Sequence, residues 1–256
     1  MLLYKTRNVI NMLATTSNNQ TYQDVVERTT QPEFVITQMQ PEHFAAVSRI
    51  STIANHGYEC YPRRTLAKIV ERFPEGQIVA LLDGEVVSYA ITMRTHRSPG
   101  DKPLSWYDAI GDMAIRNHQP SGEWLYGVDF VVDPSLRKMG IGSKMYTARF
   151  DLVKRLNLRG MYAGGMLMGY YRYEDTLASV EYAQKVISGE LQDPTVSMQM
   201  HRGFKPRAVI EDYTWVEEAA NCAVLIEWQN PDYCPTLKPL PASRPSGSMP
   251  KLAAAQ

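Results

Sequence analysis

The apolar positions change period several times along the chain, and each change marks an element. The run Phe34 to Met39 (FVITQM) alternates as a strand does, and Pro41 then stands in the first turn of a helix reaching Ala54. A second helix is expected over Arg64 to Arg72, stopped by Phe73-Pro74-Glu75-Gly76. QIVALLD and EVVSYAITM read as two strands joined by Asp83-Gly84, a pair suited to a tight hairpin. Trp124 to Val132 reads as a further strand, Gly140 to Asn157 as a helix, and Gly160 to Gly165 as a short strand ending in two glycines. Ile141, Met145, Ala148, Leu152 and Leu156 give the helix one apolar face. A helix over Leu177 to Ile187, with Val180, Ala183, Val186 and Ile187 on one side, and a short one over Thr195 to Arg202 closed by Gly203 follow. KPRAVIEDYTW and CAVLIEW close the pattern as a hairpin.

Between these elements lie two turn-rich excursions, Arg94 to Glu123 and the stretch after Gly165. Connections this long usually carry function. The order of strands and helices is neither a doubly wound series nor all-β. It predicts an α/β fold, a mixed and largely antiparallel sheet flanked by helices. Residues 1–32, polar and rich in Thr, Asn and Gln, read as a flexible N-terminal extension. The folded domain is expected over 33–230. Residues 231–256, with six prolines, read as a disordered tail.

Composition adds limits. Of the 256 residues 44% are hydrophobic, which is ample for one core, and 27 basic residues balance 27 acidic ones. That balance speaks against a broad nucleic-acid surface. The three cysteines lie far apart and are odd in number, and the five histidines form no ligand pair, so no metal is expected and the compartment read is reducing and cytoplasmic. No apolar run is long enough for a membrane span, and the start is too interrupted by charge for a signal peptide.

The informative stretch is VDFVVDPSLRKMGIGS, Val128 to Ser143. An apolar strand ends at Asp133-Pro134, and Arg137-Lys138-Met139-Gly140-Ile141-Gly142-Ser143 opens a helix. A helix start presents unpaired N–H groups and the positive end of a dipole, and glycines let a phosphate approach them. Arg137 and Lys138 add charge at the rim. The spacing is neither GxGxxG nor a P-loop. On spacing alone, an ordinary strand–turn–helix with permissive glycines is an equally good reading.

Arg137-x-x-Gly140-x-Gly142 resembles the R/Q-x-x-G-x-G/A acetyl-CoA signature of the GNAT acyltransferase superfamily, and HRGF before the last hairpin fits the same order. RFPEGQIVA, LYGVDFVVDP, YYRY, SGELQDP and IEWQNP resemble more narrowly the GNAT domain found fused to carbon–nitrogen hydrolase (nitrilase-like) domains. The resemblance spans about 33–230. It implies a GNAT fold with a splayed central strand pair and an acyl-CoA cosubstrate, acetyl-CoA first. Backbone groups at Val131 and Val132 would hold the pantetheine arm. The amides of Met139, Gly140, Ile141, Gly142 and Ser143 would hold the pyrophosphate.

One departure stands out. The position four before Gly203, where many GNAT enzymes carry a proton-donating Tyr, is Gln199. Tyr170, Tyr171 and Tyr173 are therefore the candidate acids, with His201 behind them, and Asp129 is the candidate base. Each equally suits a structural role, as do Trp106, Tyr107 and Asp108, which are placed to line an acceptor pocket. The function expected is N-acyl transfer, acetyl in the simplest case, to an amine of a small molecule or peptide. The alternatives are a malonyl-CoA decarboxylating or loading domain acting with a carrier protein, and a non-catalytic acyl-CoA-binding module. Partners are limited to acyl-CoA, an acceptor and, where an end supplies a contact, a second copy as a homodimer.

Overall fold

The structure, a computed structural model, describes residues 33–240. The expected extension at 1–32 lies outside the described residues. Seven strands form one sheet: β1 (Phe34–Gln38), β2 (Ile78–Leu82), β3 (Glu85–Thr95), β4 (Trp124–Val132), β5 (Gly160–Met166), β6 (Lys205–Ile210) and β7 (Ala223–Gln229). Their order is β1-β2-β3-β4-β5-β7-β6. Only β4 and β5 run parallel; every other neighbouring pair is antiparallel. Asp83 and Gly84 both take positive φ, 51° and 82°, as the tight β2–β3 turn requires.

The helices are α1 (Phe44–Ala54), α2 (Arg63–Arg72), α3 (Trp106–Ile110), α4 (Ile141–Arg155), α5 (Ser179–Ser188) and α6 (Val196–His201). Inside the first excursion α3 runs only from Trp106 to Ile110, where Gly111 at φ 78° ends it. Strand β3 shows how the sheet divides the core. Tyr89 sets its ring edge-on to Tyr61 before α2, while Ala90 packs with Ile141 and Met145 of α4. Successive side chains point to opposite faces, so α1 and α2 cover one face and α4 the other.

Two irregularities in β4 shape its centre. Against β3, Ile91 pairs with Asp129 but Thr92 pairs with Gly127, leaving Val128 as an extra, bulged residue. The bulge puts Tyr126 and Asp129 on the same face, against the alternation. Against β5, pairing runs only from Trp124–Gly160 to Tyr126–Tyr162. Beyond that β4 keeps β3 and β5 keeps β7, and the two strands part. This is the splayed pair that the resemblance implies.

The boundary expected at residue 230 moves outward. Residues 231–240 dock on the domain: Asn157 Nδ2 donates to the carbonyls of Cys234 (2.9 Å) and Leu237 (2.7 Å), and Arg94 Nη1 donates to the Leu240 carbonyl (2.7 Å). Proline richness misled here because the partners are carbonyls, which prolines do not remove. Residues 241–256 lie outside the described residues.

Candidate active site

The turn after β4 is built by its own side chains. Asp133 accepts from the Ser135 amide (3.0 Å) and hydroxyl (2.7 Å), and Pro134 starts a single 3-10 turn. These bonds, with Arg49 alongside, hold the Asp133 carboxyl below the usual range. Arg137 is extended, Lys138 turns at φ 67°, and Gly140, at φ 80°, caps α4. The left-handed turn at Gly140 favours glycine. The first backbone bond of the helix is Lys144 N–H to the Gly140 carbonyl, at 3.3 Å. The amides of Ile141, Gly142 and Ser143 therefore precede the ladder and are free of it. A Cβ on Gly140 would meet nothing within 4 Å, and one on Gly142 only Phe130 and Val132, at 3.8 and 3.9 Å. Arg137, Lys138 and Met139 are exposed around this open cradle.

Past Tyr126, the backbone groups of β4 that face away from β3 have no strand beside them. Val131 gives its carbonyl to the Ser88 hydroxyl at 2.7 Å, and the Val128 carbonyl takes Trp106 Nε1–H at 2.8 Å.

The two faces of the gap differ in chemistry. On the α1–α2 face Asp129 Oδ2 accepts from the Tyr89 hydroxyl at 2.7 Å, Oδ1 from the Phe130 amide at 2.7 Å, and Tyr61 bonds the same carboxylate. Burial pushes the Asp129 carboxyl up, and these bonds oppose the shift without cancelling it. Across the gap Tyr213 lies over Gly164, close enough that a Cβ there would sit 2.2 Å from its ring. Its hydroxyl accepts from the Gly164 amide and pairs with the Tyr126 hydroxyl at 2.8 Å. Burial raises the Tyr213 hydroxyl to about 12. A cleft lined by Met93, Tyr126, Tyr162, Tyr213 and the exposed Arg97 and Asp101 opens beside this pair.

On the opposite face Gln199, buried, donates Nε2–H to the Tyr146 hydroxyl of α4 at 3.0 Å. Its Oε1 abuts Gly165 of β5. Arg149 of α4 stands over the rings of Phe130 (4.5 Å) and Tyr146 (4.0 Å), which meet each other edge-on.

The other sequence candidates lie apart from Asp129. Tyr170 donates to the Leu177 carbonyl at 2.9 Å and packs on Tyr182, as does Tyr173; Tyr171 is exposed and bonded by Arg172. His201 is exposed on α6, with Nδ1 held at the Ser197 carbonyl. Asp108 is engaged in capping α3 through Ser105, and Tyr107 stands half out in solvent, edge-on to Trp106. The residues that sequence reasoning missed are Tyr61, Tyr89, Tyr126, Tyr213 and Arg149. Of these only Arg149 has a local signal, its place four residues after Met145 on the buried row of the helix. Among the described residues no group of three or more His, Cys, Asp or Glu is arranged to hold a metal, and no helix is long and apolar enough to cross a membrane.

Comparison with known proteins supplies a wider frame. Residues 44–167 match the acetyltransferase (GNAT) family. A Bacillus subtilis protein described as an uncharacterized N-acetyltransferase, YkwB, is 32% identical over 168 residues, covering 66% of this chain and 74% of that relative. A probable hydrolase of the same organism, YhcX, is 34% identical over 180 residues, or 70% of this chain, but the chain spans only 35% of that relative's length. Among solved structures, the loading GNATL domain of CurA from Lyngbya majuscula superposes with a TM-score of 0.64 at 17% identity, over 77% of this chain and 98% of that one. The GphF GNAT-like decarboxylase in complex with isobutyryl-CoA gives 0.63 at 18% identity, over 77% and 99%. At such identities these two likenesses concern the fold.

Proposed function

Since the chain belongs to the acetyltransferase (GNAT) family, we propose that it moves an acyl group, acetyl in the simplest case, from coenzyme A to an amine. The observation that carries this reading is the parted β4–β5 pair, with the cradle of Arg137 to Ser143 at one end and the Asp129 carboxylate on one face. The pyrophosphate of coenzyme A would rest on the amides of Met139 to Ser143, with Arg137 and Lys138 at its rim. The pantetheine arm would run along the unpaired edge of β4 at Val132; Val131, expected beside it, turns its carbonyl to the Ser88 hydroxyl of β3 instead.

The acceptor would enter by the cleft beside Tyr126 and Tyr213. Its nitrogen forms the new bond to the thioester carbonyl carbon as the C–S bond breaks, and sulfur leaves with the bonding pair. The proton lost by nitrogen passes to Asp129, whose raised pKa brings it nearer to a useful base. Where Tyr126 and the Gly164 amide both donate to Tyr213, the Tyr213 hydrogen is left to donate toward the departing sulfur. A hydroxyl held at about 12 keeps its proton, so it stabilises the thiolate by hydrogen bonding while solvent supplies the proton. Gln199 has no proton to give in this step.

That absence is the observation favouring a second reading, a decarboxylating or loading domain that takes malonyl-CoA. Thioester consumption separates the two. An N-acyltransferase releases free thiol only when an amine is supplied and makes an amide. The second reading is upheld instead if carbon dioxide is released without an amine, and a protein that binds coenzyme A and does neither is a binding module.

A further inference from the structure

Among the described residues Arg149 is a buried cation with two unpartnered nitrogens. It is 2% exposed, yet no ion pair among the described residues includes it. Its Nε and Nη2 are buried with no hydrogen-bond partner. Burial pushes its pKa down, opposed only by the Tyr146 hydroxyl. A buried charge left unpaired is strongly destabilising, and the rings of Phe130 and Tyr146, at 4.5 and 4.0 Å, compensate it only in part.

The unpaired atoms are informative together. Nε–H and the neighbouring Nη2–H point the same way along one edge of the guanidinium, the fork that matches the two oxygens of a carboxylate. Phe130 and Tyr146, which meet each other edge-on at 5.3 Å, both pack against the guanidinium and limit its movement. Its surroundings place it at the gap: Phe130 is on β4 beyond the last β4–β5 pair, and Tyr146 is joined to Gln199, which abuts Gly165 on β5. A third unfilled atom, Gln199 Oε1, lies against Gly165 of β5. Turning the Gln199 amide over would let Tyr146 donate to Oε1 and leave an Nε2–H donor facing Gly165 at the strand gap. The fork lies on the α4 face, the side of the coenzyme cradle, while Asp129 and the acceptor cleft lie on the other.

We propose that Arg149 binds a carboxylate carried on the acyl chain, so that the donor is the coenzyme A thioester of a short dicarboxylic acid in preference to acetyl-CoA. This rests on the acyl-CoA reading above and narrows its donor. Binding, rather than turnover, is the direct readout. Titration calorimetry on the full chain with coenzyme A, acetyl-CoA, malonyl-CoA and succinyl-CoA should show one carboxylated thioester bound about 10- to 100-fold more tightly than acetyl-CoA, the range expected of hydrogen bonds to a charged group. Arg149→Met should reduce that ratio to near one, leave the affinity for free coenzyme A in place, and raise the thermal midpoint of the ligand-free protein by removing the unpaired charge. Arg149→Lys keeps the charge without the fork and should lose most of the preference.

Equal binding of all three thioesters by the wild type overturns the assignment, even if both variants fail to fold. So does a variant that weakens coenzyme A and every thioester alike, because the guanidinium would then hold the arm. If no coenzyme A species binds at all, the acyl-CoA reading itself has failed, and the narrower proposal falls with it.

Discussion

The Tyr89 hydroxyl donates to Asp129 Oδ2 across the β3–β4 pair at 2.7 Å. Both residues face α1 and α2, and the bulge at Val128 brings Tyr126 to the same face. The carboxylate is thus on the side proposed for the amine, and its protonation is set by two opposing effects. Burial raises its pKa, and the hydrogen bonds from Tyr89, Phe130 and Tyr61 lower it.

Asp129→Asn should lower turnover about 100- to 10,000-fold, the usual worth of general acid–base help, with coenzyme A affinity unchanged. The wild-type kcat/KM should rise with pH through the Asp129 value, which lies above the ordinary 3.8. Tyr89→Phe removes a bond that favours the charged form, so that limb should move to higher pH. The same shift fixes a sign for stability. A carboxyl whose folded pKa is raised costs stability as pH climbs through that value. Asp129→Asn should therefore melt at or above the wild-type temperature near neutral pH. A flat pH profile with full activity in Asp129→Asn would remove the base from the account.

Tyr213→Phe should reduce turnover by about 100-fold, in the range seen when one transition-state hydrogen-bond donor is removed. Phe variants of Tyr170, Tyr171 and Tyr173 should stay near the wild type, because Tyr170 is committed to the Leu177 carbonyl and Tyr171 to Arg172. Steady-state rates on one identified amine decide between them. A strong loss at Tyr170, Tyr171 or Tyr173, with Tyr213→Phe active, would reverse the assignment.

How far the sequence revealed this arrangement depends on the range of the interactions. Trp124 to Val132, the turn at Arg137 and the helix after it are local, and apolar period and turn chemistry locate them within a residue or two. The parted strands are implied only by resemblance, since no residue in β4 or β5 announces the loss of a partner. The bulge was hidden for a related reason. Strict alternation places Tyr126 and Asp129 on opposite faces, and only the register against β3 reveals the extra Val128. Tyr213 sits in a turn-rich segment, and its value arises from packing on Gly164, about fifty residues away along the chain. Conversely, Tyr170, Tyr171 and Tyr173 are candidate acids by sequence only if the chain leaving β5 turns toward the gap. The chain instead reverses at once, with Met168 N–H on the Met166 carbonyl at 2.9 Å, and leaves Tyr170 and Tyr173 against Tyr182 of α5.

Ending the chain after Asn230 should destabilise it. Asn157 would lose its three bonds to Cys234 and Leu237, and the buried Arg94 its bond to Leu240. At about 1 kcal/mol per bond the loss is roughly 2–5 kcal/mol, or about 5–15 °C in thermal midpoint for a domain of this size. An unchanged midpoint would show that residues 231–240 contribute nothing to the fold.

Titration calorimetry of free coenzyme A, against adenosine as control, into the wild type and Gly142→Asp tests the central claim most directly. A Cβ at Gly142 finds ordinary contact distances, 3.8 and 3.9 Å, to Phe130 and Val132, and a carboxylate in the first turn of α4 suits the helix dipole. The variant should therefore fold, with a thermal midpoint close to the wild type, while its charge opposes pyrophosphate at the amides of Ile141 to Ser143. The account predicts that the wild type binds coenzyme A far more tightly than adenosine and that Gly142→Asp loses this binding. Equal coenzyme A affinity in the two proteins would contradict it.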